Sequence, residues 1–235
     1  MIPWFAASIF FDLEGIVPNF SMKNILHGEH YLEIQKFPIP TSAKLISYPR
    51  LIEVIDKGRS SIVVSAYTTK DAATGEDIFY NELSAFARGS GGFGGQSAHT
   101  FRGSASAIHQ PPPRAPDAVV EQRTSEQQAA LYRLTGDMTP MHIDPNTSKK
   151  SGFDIPILHG LCSLGFAGQH IFRTFGAFRN IKARFSGIVL PGQTLRTEMW
   201  KQENLVVFQT AVVETGERCI SLAGAELVDS VKHKL

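Results

Sequence analysis

Cysteine is scarce in this chain, which has two in 235 residues, Cys162 and Cys219. They show no metal-ligand spacing, and their low number fits a reducing compartment. Cys162 lies in an apolar helical stretch, which favours a small buried hydrophobe over a catalytic nucleophile. The cysteines therefore point neither to a metal site nor to covalent catalysis.

An excess of charge of either sign is also missing. Lysine and arginine number 23, aspartate and glutamate number 22, and the net charge is +1. The chain as a whole offers no electrostatic reason to bind nucleic acid or an anionic membrane. No apolar run reaches the roughly 18 residues that a membrane-spanning helix needs. We therefore expect no nucleic-acid partner and no membrane span.

Residues 1–11 are apolar and are followed by Asp12, with no basic region before them. This pattern predicts a buried helix or strand rather than a cleaved signal. Hydrophobic residues make up 43% of the chain and charged residues 19%, as in a soluble globular protein with a sizeable core. The length suits one large domain or two small ones.

A proline-rich connector divides the chain into two halves. Three consecutive prolines at 111–113 and another at 116 predict a stiff, extended segment over 111–123. The halves are then 1–110 and 124–230. Residues 61–67 and 78–86 predict an antiparallel hairpin around a Thr-Gly-Glu turn, and residues 205–213 and 219–227 predict another. An earlier strand matches as well, at 43–47 and 194–200, so the repeat indicates a duplicated sheet unit.

Helices are predicted in the second half only. Thr124 begins a capping box that opens a helix over 127–134, with Ala130, Leu131 and Leu134 on its apolar stripe. A longer helix from about 160 to 175 is apolar on most faces, so an antiparallel sheet should wrap around it. The first half has too little chain before its strands for both helices. We expect an incomplete copy there, in a supporting role.

The glycine-rich residues 89–95 fit neither a Walker loop nor a dinucleotide fingerprint. A flexible loop or hairpin tip is the simpler interpretation. Phe93, in the middle of this loop, either covers a ligand or packs back on the core, and the sequence does not choose between them.

An acid and an imidazole lie five residues apart at Asp137 and His142. Gly136 and Pro140 forbid a regular helix between them, so both groups sit on a turn-rich loop. Such a pair suits acid–base chemistry on a small molecule. Gly160 follows at a predicted helix start, where backbone N–H groups point outward without partners. Each residue also has a structural interpretation, Asp137 as a turn cap and His142 as a buried, hydrogen-bonded histidine.

Segments on both sides of the connector carry a family resemblance. The stretch 132–142 with Ser148 resembles the hydratase 2 motif of the MaoC-like dehydratases. The resemblance continues through 152–162, 181–185 and 191–195, and in the first half through 26–29, 56–58 and 89–95. It implies an α+β fold of the double hot-dog type, in which curved antiparallel sheets wrap around central helices.

The resemblance also implies an activity. It is the reversible hydration of trans-2-enoyl-CoA to (3R)-3-hydroxyacyl-CoA in fatty-acid β-oxidation, by a homodimer that needs no cofactor or metal beyond the CoA of its substrate. Asp137 and His142 fall on the family's catalytic acid and histidine. Gly160 falls on the glycine whose N–H serves the oxyanion. Thr139 stands where the family usually has asparagine, which has one more polar group to offer.

Further substrate-binding candidates are less specific. His159 precedes the oxyanion glycine and is interpreted as a packing or hydrogen-bonding residue, and Ser148 either orients a loop or touches the thioester. Arg184 either meets a CoA phosphate or forms a surface salt bridge. Asp144 is interpreted as a loop or cap residue.

Two other functions and one location complete the expectations. A hot-dog thioesterase would cleave the acyl-CoA, and a non-catalytic acyl-CoA binder would suit the altered residue Thr139 and the short first half. The chain ends in His-Lys-Leu, close to the Ser-Lys-Leu peroxisomal address. Together with the resemblance, it predicts a peroxisomal protein.

Overall fold

The structure is a computed structural model that describes residues 13, 15, 17–21 and 24–228. The apolar segment 1–11 and the His-Lys-Leu end both lie outside the described residues. The chain forms two compact units, and the division falls between Ala107 and Ile108. In the described part, no helix is long and apolar enough to span a membrane.

The first unit is an antiparallel sheet with strand order β2-β3-β4-β1. Its strands are β1 (Ile25–Ile34), β2 (Leu45–Asp56), β3 (Ser60–Asp71) and β4 (Asp77–Arg88). The predicted hairpin is confirmed, since Val63 lies opposite Ala85 and Ser65 opposite Leu83. One face of β3 and β4 forms the core, and its buried members include Leu13, Val17, Val63, Tyr67, Leu83 and Ala85.

The second unit is a larger antiparallel sheet with strand order β6-β9-β8-β7-β5. Its strands are β5 (Ala118–Arg123), β6 (Phe178–Phe185), β7 (Thr194–Gln202), β8 (Leu205–Val212) and β9 (Arg218–Leu227). Three helices join β5 to β6: α1 (Gln128–Arg133), α2 (Pro145–Lys150) and α3 (Gly160–Phe175). Among the described residues, this unit has five strands where the first has four and no α-helix.

Helix α3 is the central element of the second unit. It begins and ends where the apolar pattern predicts, and it contacts β5, β6, β7 and β9. Leu161, Leu164, Ala167 and Ile171 are among its buried residues. It stops at Gly176, whose φ of 99° is a backbone conformation that favours glycine. The helix therefore packs on the sheet as expected, and its first residue, Gly160, is held in place.

The connector is shorter than predicted. Residues 118–123, which the sequence interpretation placed in it, form strand β5, and Ala118 lies opposite Met199 of β7. The extended segment before β5 is tied to the end of β7, because Trp200 Nε1 donates to the Arg114 carbonyl at 2.9 Å. Prolines keep the chain extended, but they do not prevent the following residues from pairing as an edge strand.

The predicted capping box at Thr124 is wrong. Thr124 is buried, and its hydroxyl donates to the Gln193 carbonyl and accepts from the Gly192 N–H. Helix α1 begins later, and its N-cap residue Gln127 makes no side-chain cap. The predicted apolar stripe is wrong as well: Ala129 is buried, whereas Leu131 and Leu134 are 52% and 82% exposed. A six-residue helix is too short for periodicity to reveal its buried face.

Candidate active site

Asp137 lies in the loop after α1, directly after Gly136, whose φ is 114°. The carboxylate is buried, and its Oδ1 accepts two hydrogen bonds from Thr139. The Thr139 hydroxyl donates at 2.6 Å and its backbone N–H at 3.1 Å. The threonine that departs from the family pattern therefore holds one oxygen of the acid in place. The second oxygen, Oδ2, is left for other partners.

His142 ends a short 3₁₀ turn, Pro140–His142, five residues after the acid. Its Nδ1 lies 2.7 Å from the carbonyl oxygen of Ile157. A carbonyl can only accept, so Nδ1 carries the proton and Nε2 presents a lone pair. Burial lowers the pKa of His142, and the Ile157 carbonyl and Asp137 oppose this shift only in part. The ring is therefore a neutral base at neutral pH.

His159 lies against both groups. Its ring stacks on that of His142, with centroids 3.7 Å apart and planes 26° from parallel. Its Nε2 is 3.8 Å from Asp137 Oδ2, and the ring of Tyr132 packs against it at 4.6 Å. Burial and His142 lower the pKa of His159 to about 4. The sequence interpretation of His159 as a packing residue thus holds, but it missed the stacking on His142 and the role of Tyr132.

The loop between His142 and His159 is fixed by polar side chains. Asp144 caps α2, since its carboxylate accepts from the Asn146 N–H at 3.0 Å. Ser148 is fully buried, and its hydroxyl donates to the Ile155 carbonyl at 2.8 Å. This hydrogen bond shows that Ser148 helps to orient the loop, whereas its contact with the thioester stays a prediction. Asp144 is a cap residue, as the sequence predicts.

Gly160 is the first residue of α3, so its N–H has no acceptor within the helix. A Cβ added to Gly160 would lie 3.0 Å from Cδ1 of the Phe185 ring, closer than side chains ordinarily approach. The preceding segment is anchored by the Leu158 N–H, which donates to the Val189 carbonyl at 2.7 Å. The glycine therefore allows β6 to approach the helix start closely, and it leaves a backbone donor beside His159.

Asp137, His142 and His159 each offer one ligand atom within 4.8 Å of the others, which is close enough to raise the question of a metal. The lone pair of an imidazole nitrogen lies in the plane of its ring. Because the two rings are stacked, those planes run nearly parallel and do not meet at a nearby point. This arrangement suits proton transfer better than binding of a single ion.

Phe93 and Arg184 are the remaining substrate-binding candidates. Phe93 belongs to the first unit, and its loop is anchored rather than flexible. The Asp56 carboxylate accepts from the N–H groups of Gly58, Gly92 and Gly94 at 2.8 to 2.9 Å. Arg184 is half-buried on β6, opposite Ser221 of β9. Their roles in substrate binding stay predictions.

Two family models match the chain. They are the MFE-2 hydratase 2 N-terminal domain over residues 1–89 and the MaoC like domain over residues 107–222. A peroxisomal hydratase-dehydrogenase-epimerase of Neurospora crassa is 56% identical over 97% of this chain and 25% of its own length. A peroxisomal enoyl-CoA hydratase 2 of Arabidopsis thaliana is 38% identical over 89% of this chain and 70% of its own length. The chain thus spans about a quarter of the first relative and over two thirds of the second.

Comparison with solved structures supports the same family and shows the fold. Full-length peroxisomal multifunctional enzyme type 2 from Drosophila melanogaster matches with a TM-score of 0.79 and 41% identity, over 94% of this chain and 40% of its own. A Mycobacterium tuberculosis protein with a double hot-dog fold matches at 14% identity with a TM-score of 0.57, over 87% of this chain and 75% of its own, which shows fold alone. The predicted hot-dog α+β fold is confirmed. The chain belongs to the MaoC-like dehydratases, in the group that carries the multifunctional-enzyme hydratase 2 N-terminal domain.

Proposed function

We propose that this chain is an (R)-specific 2-enoyl-CoA hydratase of fatty-acid β-oxidation. The observation that carries the proposal is that the buried side chains of Asp137 and His142 lie close together, beside the first residue of α3, Gly160. A relative named enoyl-CoA hydratase 2 and another named probable enoyl-CoA hydratase 2 are each 38% identical to this chain, which covers 70% and 74% of their respective lengths. The acyl-CoA thioester is the substrate, and the mechanism needs no further cofactor.

The first step is attack by water at C3. His142 Nε2 takes one proton from the water while the water oxygen forms a bond to C3. Asp137 Oδ2 accepts a hydrogen bond from the remaining O–H of the water and so orients it, and this O–H stays on the product hydroxyl. The π electrons of the C2–C3 bond move through C1 onto the thioester oxygen. The Gly160 N–H donates to that oxygen as its negative charge grows, which stabilises the transition state more than the ground state.

The second step returns the proton. The enolate re-forms its carbonyl, and C2 takes the proton that His142 has carried, on the face where the hydroxyl was added. The imidazole is neutral again, and the sum is one water added across one double bond. Stacked on neutral His159 and facing Asp137, the His142 ring can hold its transient positive charge.

The test is an assay of purified chain with a short and a long trans-2-enoyl-CoA. We expect the absorbance of the conjugated enoyl thioester to fall, without release of free thiol, and the product to be the 3R alcohol. Release of free thiol, with the C2–C3 double bond kept in the free acid that is formed, would instead identify a thioesterase. Tight binding without turnover would identify a non-catalytic binder. Either result contradicts the hydratase proposal.

The acid side of the pH profile is a further prediction. The pKa of His142 lies below its ordinary value of 6.5 because of burial, and the base works only when it is unprotonated. We expect kcat/KM to be constant near neutral pH and to fall as the pH drops through a midpoint below 6.5. Steady-state rates across a buffer series measure this midpoint. A midpoint at or above 6.5 would show that the base is not this buried ring.

A homodimer in the peroxisome is the proposed state. The relatives above are named peroxisomal, which supports the location.

Strand β2 supports self-association, because it is an edge strand that exposes large hydrophobic residues, and such edges favour pairing. These residues are Leu45, Ile46, Tyr48 and Leu51. For the dimer, we expect the chain to sediment at twice its own mass. For the location, we expect a fluorescently tagged chain to appear in peroxisomes and to disperse when residues 233–235 are deleted.

A further inference from the structure

The ring of His159 is buried, and neither Nδ1 nor Nε2 makes a hydrogen bond of ordinary geometry within the described part of the chain. The residue is 2% exposed, and the backbone of Asp137 lies near enough to interact with its ring. Buried polar atoms without partners destabilise a folded protein. Phenylalanine would fill the space between Tyr132 and His142 without that cost. Stability alone therefore does not explain an imidazole at this position.

The Nε2 edge of the His159 ring faces the carboxylate of Asp137, the acid of the proposed mechanism. The distance from Nε2 to Asp137 Oδ2 is 3.8 Å, just beyond hydrogen-bond range. Stacking on His142 and packing against Tyr132 fix the plane of the ring. A shift of less than about 1 Å along this plane would bring the two atoms into hydrogen-bond contact.

Among the described residues, the carboxylate of Asp137 accepts hydrogen bonds at one oxygen only. Both hydrogen bonds that it accepts, from the hydroxyl and the N–H of Thr139, go to Oδ1. Oδ2 is the oxygen that the proposed mechanism assigns to the water. A carboxylate oxygen has two lone pairs, so Oδ2 can accept from a protein donor and from the water at the same time.

We propose that His159 is a positioning residue for Asp137, whose Nε2–H donates to Oδ2 when an acyl-CoA occupies the site. This inference rests on the proposed hydratase function. With both carboxylate oxygens held, the water acceptor stays in one place while the proton moves to His142. Catalytic hydrogen bonds that are long in a free enzyme often shorten in the loaded complex. Because His159 is neutral, it donates without adding a charge beside His142.

Two substitutions separate the donor from the ring. His159→Phe keeps a flat aromatic ring, slightly larger than imidazole, but removes the N–H, whereas His159→Gln keeps a side-chain donor and loses the ring. We expect His159→Phe to lower kcat by about 10- to 100-fold, as is common when a supporting hydrogen-bond partner is lost. KM should change less than about threefold, since the donor acts through Asp137 rather than on the substrate. His159→Gln should recover at least part of kcat.

His170→Phe is the matched control. His170 is equally buried at 2% exposure, but its ring nitrogens are bonded to Thr197 and Gln122. This variant should lose stability and keep kcat. The inference is overturned if His159→Phe hydrates at the wild-type rate, or if His159→Gln is no better than His159→Phe. An inactive wild type would instead overturn the proposed function itself.

A measurement on the unaltered chain covers the case in which His159→Phe does not fold. The ring ¹⁵N and ¹H resonances of the histidines are recorded without ligand and with butyryl-CoA, a saturated thioester that cannot be hydrated. We expect one neutral ring with a protonated Nε2 to show a downfield proton shift on binding, and this signal should be missing in His159→Gln. An unchanged His159 signal at saturating butyryl-CoA contradicts the inference.

Discussion

A His142→Ala variant is expected to hydrate enoyl-CoA with a kcat about 10²- to 10⁴-fold below that of the wild type. The substitution removes the nitrogen that takes the proton from water, and leaves the Ile157 carbonyl without its 2.7 Å donor. Asp137→Asn is expected to fall in the same range. An amide can still accept from Thr139 with its oxygen, but it then presents an N–H₂ donor to the water where Oδ2 had been an acceptor. Initial rates of enoyl absorbance loss measure both.

Asp144→Asn is the matched control for the acid. It makes the same chemical change seven residues further along the loop, at a cap where asparagine serves as well as aspartate. This variant should retain wild-type kcat. The double variant of Asp137 and His142 should have a kcat only slightly below that of the less active single variant, because the effects of substituting residues that act as a unit are not additive. Full activity in both single variants would show that this pair does not carry the reaction.

A Gly160→Pro variant is expected to lower kcat by about 10²- to 10³-fold, the usual effect of losing one oxyanion donor. Proline removes the N–H at a position where helices accept it, the first residue of α3. The preceding residue, His159, already has φ −62° and ψ 134°, a conformation that suits a residue before proline. The helix should therefore form while its donor is lost. Steady-state kinetics and circular dichroism measure the two effects separately.

Gly160→Ala distinguishes loss of the backbone N–H from steric contact with the Phe185 ring. Its Cβ meets the Phe185 ring at 3.0 Å, as a proline side chain also would, but it keeps the N–H. We expect a loss of about tenfold, consistent with a displacement of a few tenths of an ångström. Gly165→Ala, also on α3, has nothing within 4 Å of the added Cβ and should keep full activity. If Gly160→Pro is no worse than Gly160→Ala, the N–H is not the oxyanion donor.

Long elements with strong periodicity were predictable from the sequence. The hairpins β3–β4 and β8–β9 follow from β-branched runs around Thr-Gly-Glu turns, and α3 follows from an apolar pattern sixteen residues long. Strand β1 was missed, because its His-Gly-Glu-His stretch carries no apolar alternation. The sequence does not reveal strand β5 either, because the prolines just before it indicate an extended connector instead. In both cases the pairing with a neighbouring strand, rather than local propensity, makes the strand.

In the candidate site, too, some features follow from the local sequence and others depend on tertiary contacts. Asp137, His142 and Gly160 were identifiable, because acid, imidazole and helix-start glycine occupy a short, turn-rich stretch. The hold of Thr139 on Oδ1 follows from contacts within two residues, yet the hydrogen-bond geometry appears only in the fold. The exposure of Leu131 and Leu134 was misjudged, since six helical residues show too little of a period.

Sequence alone determined the identity of the candidate reacting groups, the backbone breaks that place them on a loop, and the helix that presents Gly160. These are local properties, set by residue type and by backbone stereochemistry over a few positions. Only the tertiary structure decided which nitrogen of His142 is free, which oxygen of Asp137 is held, and that His159 stacks on His142 and packs against Tyr132. Those facts depend on Ile157, Thr139 and Tyr132 meeting in space, and burial then shifts the pKa of both histidines.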